Sequence, residues 1–158
     1  MNIGQLAEIP TERGTYCLWL RLSQATTVTI GRLGQFSVEA GWCVYVGSAL
    51  GSGGLRGRLG HHILPVTRPH WHIDYLRQVA PVQTVWRIAD PSGYECQLAA
   101  ILRLWPGSQQ PISHFGSSDC TCPTHLFRFT DQPTFSAFDA HVIERFPTLR
   151  GKIAMISA

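Results

Sequence analysis

The sequence predicts an α+β fold, and two observations carry that expectation. Strand-like runs crowd the first third of the chain, at 14–21, 26–32, 35–38 and 42–47, and recur at 82–89 and 125–129. Segments with helical punctuation and spacing alternate with the later strands, at 55–64, 70–80, after Asp90-Pro91, and at 133–146.

In the first strand Tyr16, Leu18 and Leu20 share one face and Cys17 and Trp19 the other. Residues 26–32 and 35–38 read as a hairpin about the Leu33-Gly34 turn, and Trp42 to Gly47 as a further strand. A glycine-rich loop, 47–54, leads into a short helix from Leu55 to Leu64, bounded by Pro65 and Pro69. His70 to Ala80 fits a second helix and Val82 to Ala89 a strand. Asp90-Pro91 supplies an N-cap and a first helical residue, and Leu98, Ile101, Leu102 and Trp105 follow at i, i+3, i+4, i+7 until Pro106-Gly107 stops the run. A loop rich in Gly, Ser and Cys spans 113–124, His125–Phe129 reads as a strand, and Pro133 to Phe146 as the last helix. The whole, 1–158, reads as one domain with a core at about 13–129 and a C-terminal helix at about 133–146.

A hydrophobic content of 44% against 15% charged residues is that of a globular chain, not a disordered one. No apolar run approaches the roughly 20 residues of a membrane span, and Met1-Asn2-Ile3-Gly4 does not open a signal peptide, so the expected location is the cytoplasm. Five cysteines, an odd number, argue for reduced thiols. The net charge is only +3, but of 13 cationic residues all except Lys152 are Arg, whose planar fork grips phosphate in two places.

Phosphodiester hydrolysis needs a positioned water, a group to activate it, and positive charge where phosphate develops negative charge. Arg58 and His62 stand four apart and share a helix face. Tyr16 and Tyr45 sit on strands beside glycines, where a tyrosine hydroxyl can orient or deprotonate water if its neighbours lower its pKa. Glu95 extends the apolar stripe of Leu98 by one i−3 step, an odd place for a carboxylate unless a metal or an Arg satisfies it. Each feature taken alone has a bland explanation: a solvated helix face, core aromatics, an acid at a helix start. The glycine-rich loop lacks the Lys-Ser/Thr ending of a nucleotide P-loop.

Gly14-Thr15-Tyr16, Tyr45-Val46-Gly47-Ser48-Ala49, Arg58, His62 and Glu95, in this order, resemble the GIY-YIG nucleases over about residues 13–105. With His70-Trp71-His72-Ile73-Asp74-Tyr75-Leu76 and Phe115-Gly116-Ser117-Ser118-Asp119-Cys120, the chain is similar to an uncharacterised prokaryotic branch of that superfamily, to about Phe129. The resemblance implies a small antiparallel sheet, three-stranded in the family, flanked by helices. It implies one-metal hydrolysis of DNA, with RNA open as well. Tyr16 would be general base or water-positioning group, and Tyr45 would support water or phosphate. Arg58 would stabilise the transition state, His62 would assist it, and Glu95 would bind one Mg²⁺ or Mn²⁺. Ser48, Arg56 and His61, flanking these, are expected to contact nucleic acid. Thr15 and Val46 depart from the family's isoleucines, and the 26–38 hairpin fills a longer gap between the tyrosine motifs, where it is expected to add strands to the sheet.

Two other clusters stand out. His70-x-His72-x-Asp74 has metal-ligand spacing on a strand, but on a helix His72 leaves the shared face, and helix capping is the plainer role. Cys120-x-Cys122-x₂-His125, with His114 near, departs from the usual Cys-x₂₋₄-Cys spacing, so zinc is not expected. Ser117, Ser118 and Asp119 would instead line the cleft beside Tyr16. The leading expectation is a divalent-metal-dependent endonuclease. Against it stand a non-catalytic nucleic-acid-binding module on the same scaffold and a zinc-stabilised interaction domain.

Overall fold

The computed structural model describes residues 7–157. Its elements run β1 (Gly14–Leu22), β2 (Thr26–Ile30), β3 (Gly34–Val38), β4 (Gly41–Ala49), α1 (Gly54–Ile63), α2 (His72–Arg77), β5 (Val82–Ile88), α3 (Glu95–Leu104), β6 (Leu126–Phe129), α4 (Phe135–Arg145) and, after a 3₁₀ turn at Pro147–Leu149, β7 (Ile153–Ser157). Five strands form one antiparallel sheet in the order β6-β4-β1-β5-β7, and β2 and β3 form a separate two-stranded sheet. The fold is therefore α+β, as the sequence predicts.

β1 lies at the centre, and all but one of its nine residues are buried. Its two-residue alternation divides the interior into two layers. Tyr16, Leu18 and Leu20 join Leu55 and Leu59 of α1, Ile73 and Leu76 of α2, and Val28, Ile30 and Val38 of the hairpin. Cys17 and Trp19 join Trp86, Phe127 and Phe129 of the sheet with Leu98 and Leu102 of α3 and Phe138 and Val142 of α4. Trp19 anchors this second layer, with its ring centroid 4.6 Å from Trp86 and 5.7 Å from Phe129.

The structure departs from the sequence expectation at several points. The 26–38 hairpin adds no strand to the main sheet: it folds over the first layer, beside α2, and Gly31 faces the Tyr75 ring. The sheet widens instead through β6 and through β7, whose pairing with β5 the sequence did not announce. Asp90-Pro91 does not start α3. Gly93 takes a left-handed φ of +75°, and the helix begins at Glu95. Asp90 instead accepts from the Ser92 amide at 3.0 Å and pairs with Lys152 Nζ at 2.6 Å, tying the β5–α3 turn to the chain just before β7. α2 is shorter than 70–80 because Asp74 accepts hydrogen bonds from the His70 and Trp71 amides at 2.9 and 3.0 Å, which caps the helix late. Thr134 caps α4 through the Ala137 amide.

Truncating Trp19, fully buried against two aromatic neighbours, leaves a void in the second layer. Trp19→Ala is expected to lower unfolding free energy by about 3–5 kcal/mol, read from the midpoint of a denaturant titration.

Candidate active-site cleft

The β1–β4 register sets Tyr16 opposite Gly47. A Cβ at residue 47 would lie 2.5 Å from the Tyr16 hydroxyl, so only glycine lets that ring cross β4. Tyr45, two residues before Gly47 and on the same face, is the diagonal neighbour of Tyr16, with ring centroids 6.4 Å apart. On the far side of Tyr45 stands Gly116, at φ +70°, where a Cβ would come within 2.6 Å of the Tyr45 ring.

α1 brings the next pair. Its i, i+4 spacing directs His62 inward and leaves Arg58 at the half-exposed surface. The Tyr16 hydroxyl and His62 Nε2 are 2.8 Å apart and buried. The Arg58 guanidinium lies 4.3 Å over the Trp71 ring, and among the described residues no carboxylate pairs with it. Trp71 also receives the His61 ring edge-on at 4.7 Å, so one indole props both the cation and its helix.

Glu95 enters from the first residue of α3. Its position depends on the Tyr94 amide, which donates to Thr15 Oγ1 at 2.8 Å and so fastens the helix start to the residue next to Tyr16. Glu95 is neither on a buried stripe nor matched by an Arg. It is 28% exposed, and its Oε1 lies 3.3 Å from His125 Nδ1, at hydrogen-bond distance but not aligned as one. Tyr16, Tyr45, Arg58, His62 and Glu95 all line one cleft of about 250 Å³. Ser48, His70, Trp71, His72, Gly116, Ser118 and Asp119 complete its wall. Ser118 and Asp119 reach it as the sequence suggests, whereas Ser117 is buried away from it.

Two residues expected at a nucleic-acid surface have other partners. Arg56 is absent from the cleft and donates to the backbone carbonyls of Ile9 and Ala7, at 2.7 and 3.4 Å. His61 borders the adjoining groove beside the glycine-rich loop and pairs with Asp74 at 3.3 Å. That Asp74 is fully buried and also meets Arg77 at 3.2 Å, with His62 Nδ1 4.0 Å away. Burial would raise its pKa, but the His70 and Trp71 amides and both histidines hold it below the ordinary value. The His70-x-His72-x-Asp74 pattern is thus a cap and not a ligand set. His72 turns elsewhere: its Nδ1 accepts from the Gly116 amide at 3.0 Å, so in the neutral ring Nε2 carries the proton.

The condition for an easily ionised Tyr16 is not met, because its surroundings on balance raise its pKa. Burial raises it first, Tyr45 and Glu95 add to the rise, and Arg58 only opposes them. Tyr45 is raised by burial and Glu95 as well. Burial, with Arg77 close by, pushes His62 down to about 3, although Asp74 pulls the other way. The Tyr16–His62 pair is accordingly neutral, with the Asp74 side of the ring favouring a proton on Nδ1 and Nε2 accepting from the phenol.

Sequence reasoning missed Trp71 as the seat of Arg58 and His125 as the partner of Glu95, because both contacts join segments far apart in the chain. A family model described as a domain of unknown function, DUF123, matches residues 15–148. No curated protein and no solved structure matches the chain.

The low pKa of His62 has a consequence for stability. Between pH 6.5 and about 3 the unfolded chain binds a proton at this residue that the folded chain refuses. Stability therefore falls as pH drops through that window. From pH 7.5 to 4.5 the loss from His62 is on the order of 2–3 kcal/mol, and His72, lowered by burial, adds in the same direction. Denaturant unfolding across this range is expected to show the decline, and His62→Gln to flatten it. An unchanged slope in the variant would place the titrating group elsewhere.

Proposed function

The chain belongs to the DUF123 family, and we propose that it is a divalent-metal-dependent phosphodiester hydrolase acting on DNA as an endonuclease. The observation that carries this reading is the convergence of Tyr16, Tyr45, Arg58, His62 and Glu95 on one cleft, with Arg58 braced on Trp71 and, among the described residues, paired with no carboxylate. A guanidinium seated over an indole and without a carboxylate beside it is prepared to receive an anion, and its two outer nitrogens match two phosphate oxygens.

The geometry supports a role for each residue. Arg58 neutralises the non-bridging oxygens of the bound phosphate. His72, with its proton on Nε2, offers a neutral donor from the opposite loop contact. Tyr16, neutral and fixed by His62, accepts a hydrogen bond from water on its free lone pair and orients it. It is a water-positioning group and not a resting phenolate, and His62 is its positioning residue. Tyr45 confines the same water from the side. The water oxygen bonds to phosphorus, the bond from phosphorus to one sugar oxygen breaks, and that oxygen leaves with a proton originating from the water.

The donor set fits a hard cation. Glu95 opens on the cleft, the exposed Asp119 is a second carboxylate in its wall, and the other polar groups beside them include the hydroxyls of Ser48 and Ser118. Oxygen ligands of this kind suit Mg²⁺ or Mn²⁺ with retained waters. Glu95 would hold the ion, with Asp119 as a supplementary ligand, and the ion would contribute charge neutralisation at the phosphate.

The test is cleavage of branched, single-stranded and duplex DNA in Mg²⁺ or Mn²⁺. Wild type is expected to cut at least one of these. Glu95→Ala and Arg58→Ala are expected to abolish cutting. Tyr16→Phe, which keeps the ring and removes the hydroxyl, is expected to lose on the order of 10²–10⁴ in rate. Salt-sensitive binding without turnover, unaffected by Glu95→Ala, would instead identify a binding module.

A further inference from the structure

The loop from 113 to 124 carries Gly116, Ser118 and Asp119 into the cleft without helix or strand of its own. Two backbone hydrogen bonds close its base, from the His114 amide to the Pro123 carbonyl at 2.7 Å and from the His125 amide to the Phe115 carbonyl at 2.8 Å. Beyond that base the loop brings Cys120 and Cys122 against Cys96, the second residue of α3, and against His125, which leads into β6. One ligand atom from each of these four residues lies within 4.8 Å of every other. All three cysteines are free thiols.

We propose that Cys96, Cys120, Cys122 and His125 form a Cys₃His zinc site that pins this loop to the start of α3. Around a tetrahedral zinc with bonds of about 2.0–2.3 Å, ligand atoms sit about 3.5–3.8 Å apart, so a small inward rotation of the side chains closes the site. His125 Nε2 already stands 3.4 Å from Cys120 Sγ. The opposite ring nitrogen, Nδ1, is buried without an aligned partner and faces Glu95 Oε1 at 3.3 Å. That is the arrangement of a zinc-bound imidazole, one nitrogen on the metal and the other turned to a carboxylate that fixes its proton. Three soft sulfurs and one imidazole select zinc over the hard cation suited to the oxygen-lined cleft. The expectation against zinc rested on the short Cys120-x-Cys122 spacing. It did not count the further thiol of Cys96, 24 residues earlier in the chain.

In the other grouping of this kind among the described residues, His61, His62 and Asp74, the carboxylate is already engaged. Arg77 and two backbone amides occupy the Asp74 carboxylate, so a cation there would have to displace another. The zinc site stands whether or not the cleft cuts DNA, because its residues and its test are separate from hydrolysis.

The experiment uses the full chain, purified under reductant without chelator. Elemental analysis is expected to find stoichiometric zinc. After zinc removal, titration with Co²⁺ is expected to give thiolate-to-cobalt charge-transfer absorption and the visible bands of a tetrahedral ion. Cys120→Ser is expected to lose the zinc, lower the melting temperature and expose the 113–124 loop to proteolysis. The conservative His125→Cys is expected to keep metal, as is Cys43→Ser, a buried thiol outside the cluster. A wild-type protein that contains no zinc and takes up neither Zn²⁺ nor Co²⁺ with thiolate absorption overturns the proposal. So does full zinc retention by Cys120→Ser.

Discussion

The pairing of β1 with β4 sets the terms for the rest of the molecule. Because side chains alternate, one residue of slip would send Tyr16 to the α3–α4 layer and Trp19 to the α1–α2 layer. The native register holds because each face matches its layer: the bulky indole meets Trp86 and Phe129, and Tyr16 meets a partner without a side chain, Gly47. A single ladder of backbone hydrogen bonds therefore specifies both the hydrophobic core and the position of the phenol in the cleft. The same strand fastens α3 through Thr15, so Glu95 inherits its placement from the residue adjacent to Tyr16.

Around that ladder the cleft is built by buried polar contacts that leave little freedom. Asp74 gathers two amides, Arg77 and His61, and places a carboxylate behind His62. His62 in turn holds the Tyr16 hydroxyl. The chain of contacts runs from a helix cap to a cleft hydroxyl, with an electrostatic step of 4.0 Å between Asp74 and His62 Nδ1 and a hydrogen bond from His62 to Tyr16. Burial makes both Tyr16 and His62 resist ionisation, which sets them apart from Arg58, the cation left at the half-exposed surface. Uncharged groups and a cation are thus sorted by depth.

The elements that sequence periodicity specifies were legible: the alternation of Tyr16, Leu18 and Leu20 against Cys17 and Trp19, the stripe of Leu98, Ile101 and Leu102, and the strand ending in Phe129. Elements decided by tertiary contacts were not. Asp90-Pro91 is a good local start for a helix, but Lys152 and the Ser92 amide claim the carboxylate and Gly93 turns the chain first. β7 pairs only because β5 presents an open edge, which no local pattern in 153–157 reveals. At the cleft, the five side chains could be proposed from order and spacing. Their supports could not, since Trp71 meets Arg58 by a cation–π contact, and Cys96 meets Cys120 and Cys122 across a gap in sequence that carries no periodicity.

The β2–β3 hairpin has an architectural consequence. It leaves the sheet at the end of β1 and returns at the start of β4, two strands already paired along their full length, so the ladder is complete without it. In this position the chain can lengthen, shorten or be replaced without a change of strand order, as a graft does on a stem that is already closed. Yet the hairpin buries Val28, Ile30 and Val38 in the layer that also receives α2, the helix capped by Asp74. Variation there is neutral for topology but felt in the packing of that layer, so the hairpin can change while the strand frame stays fixed.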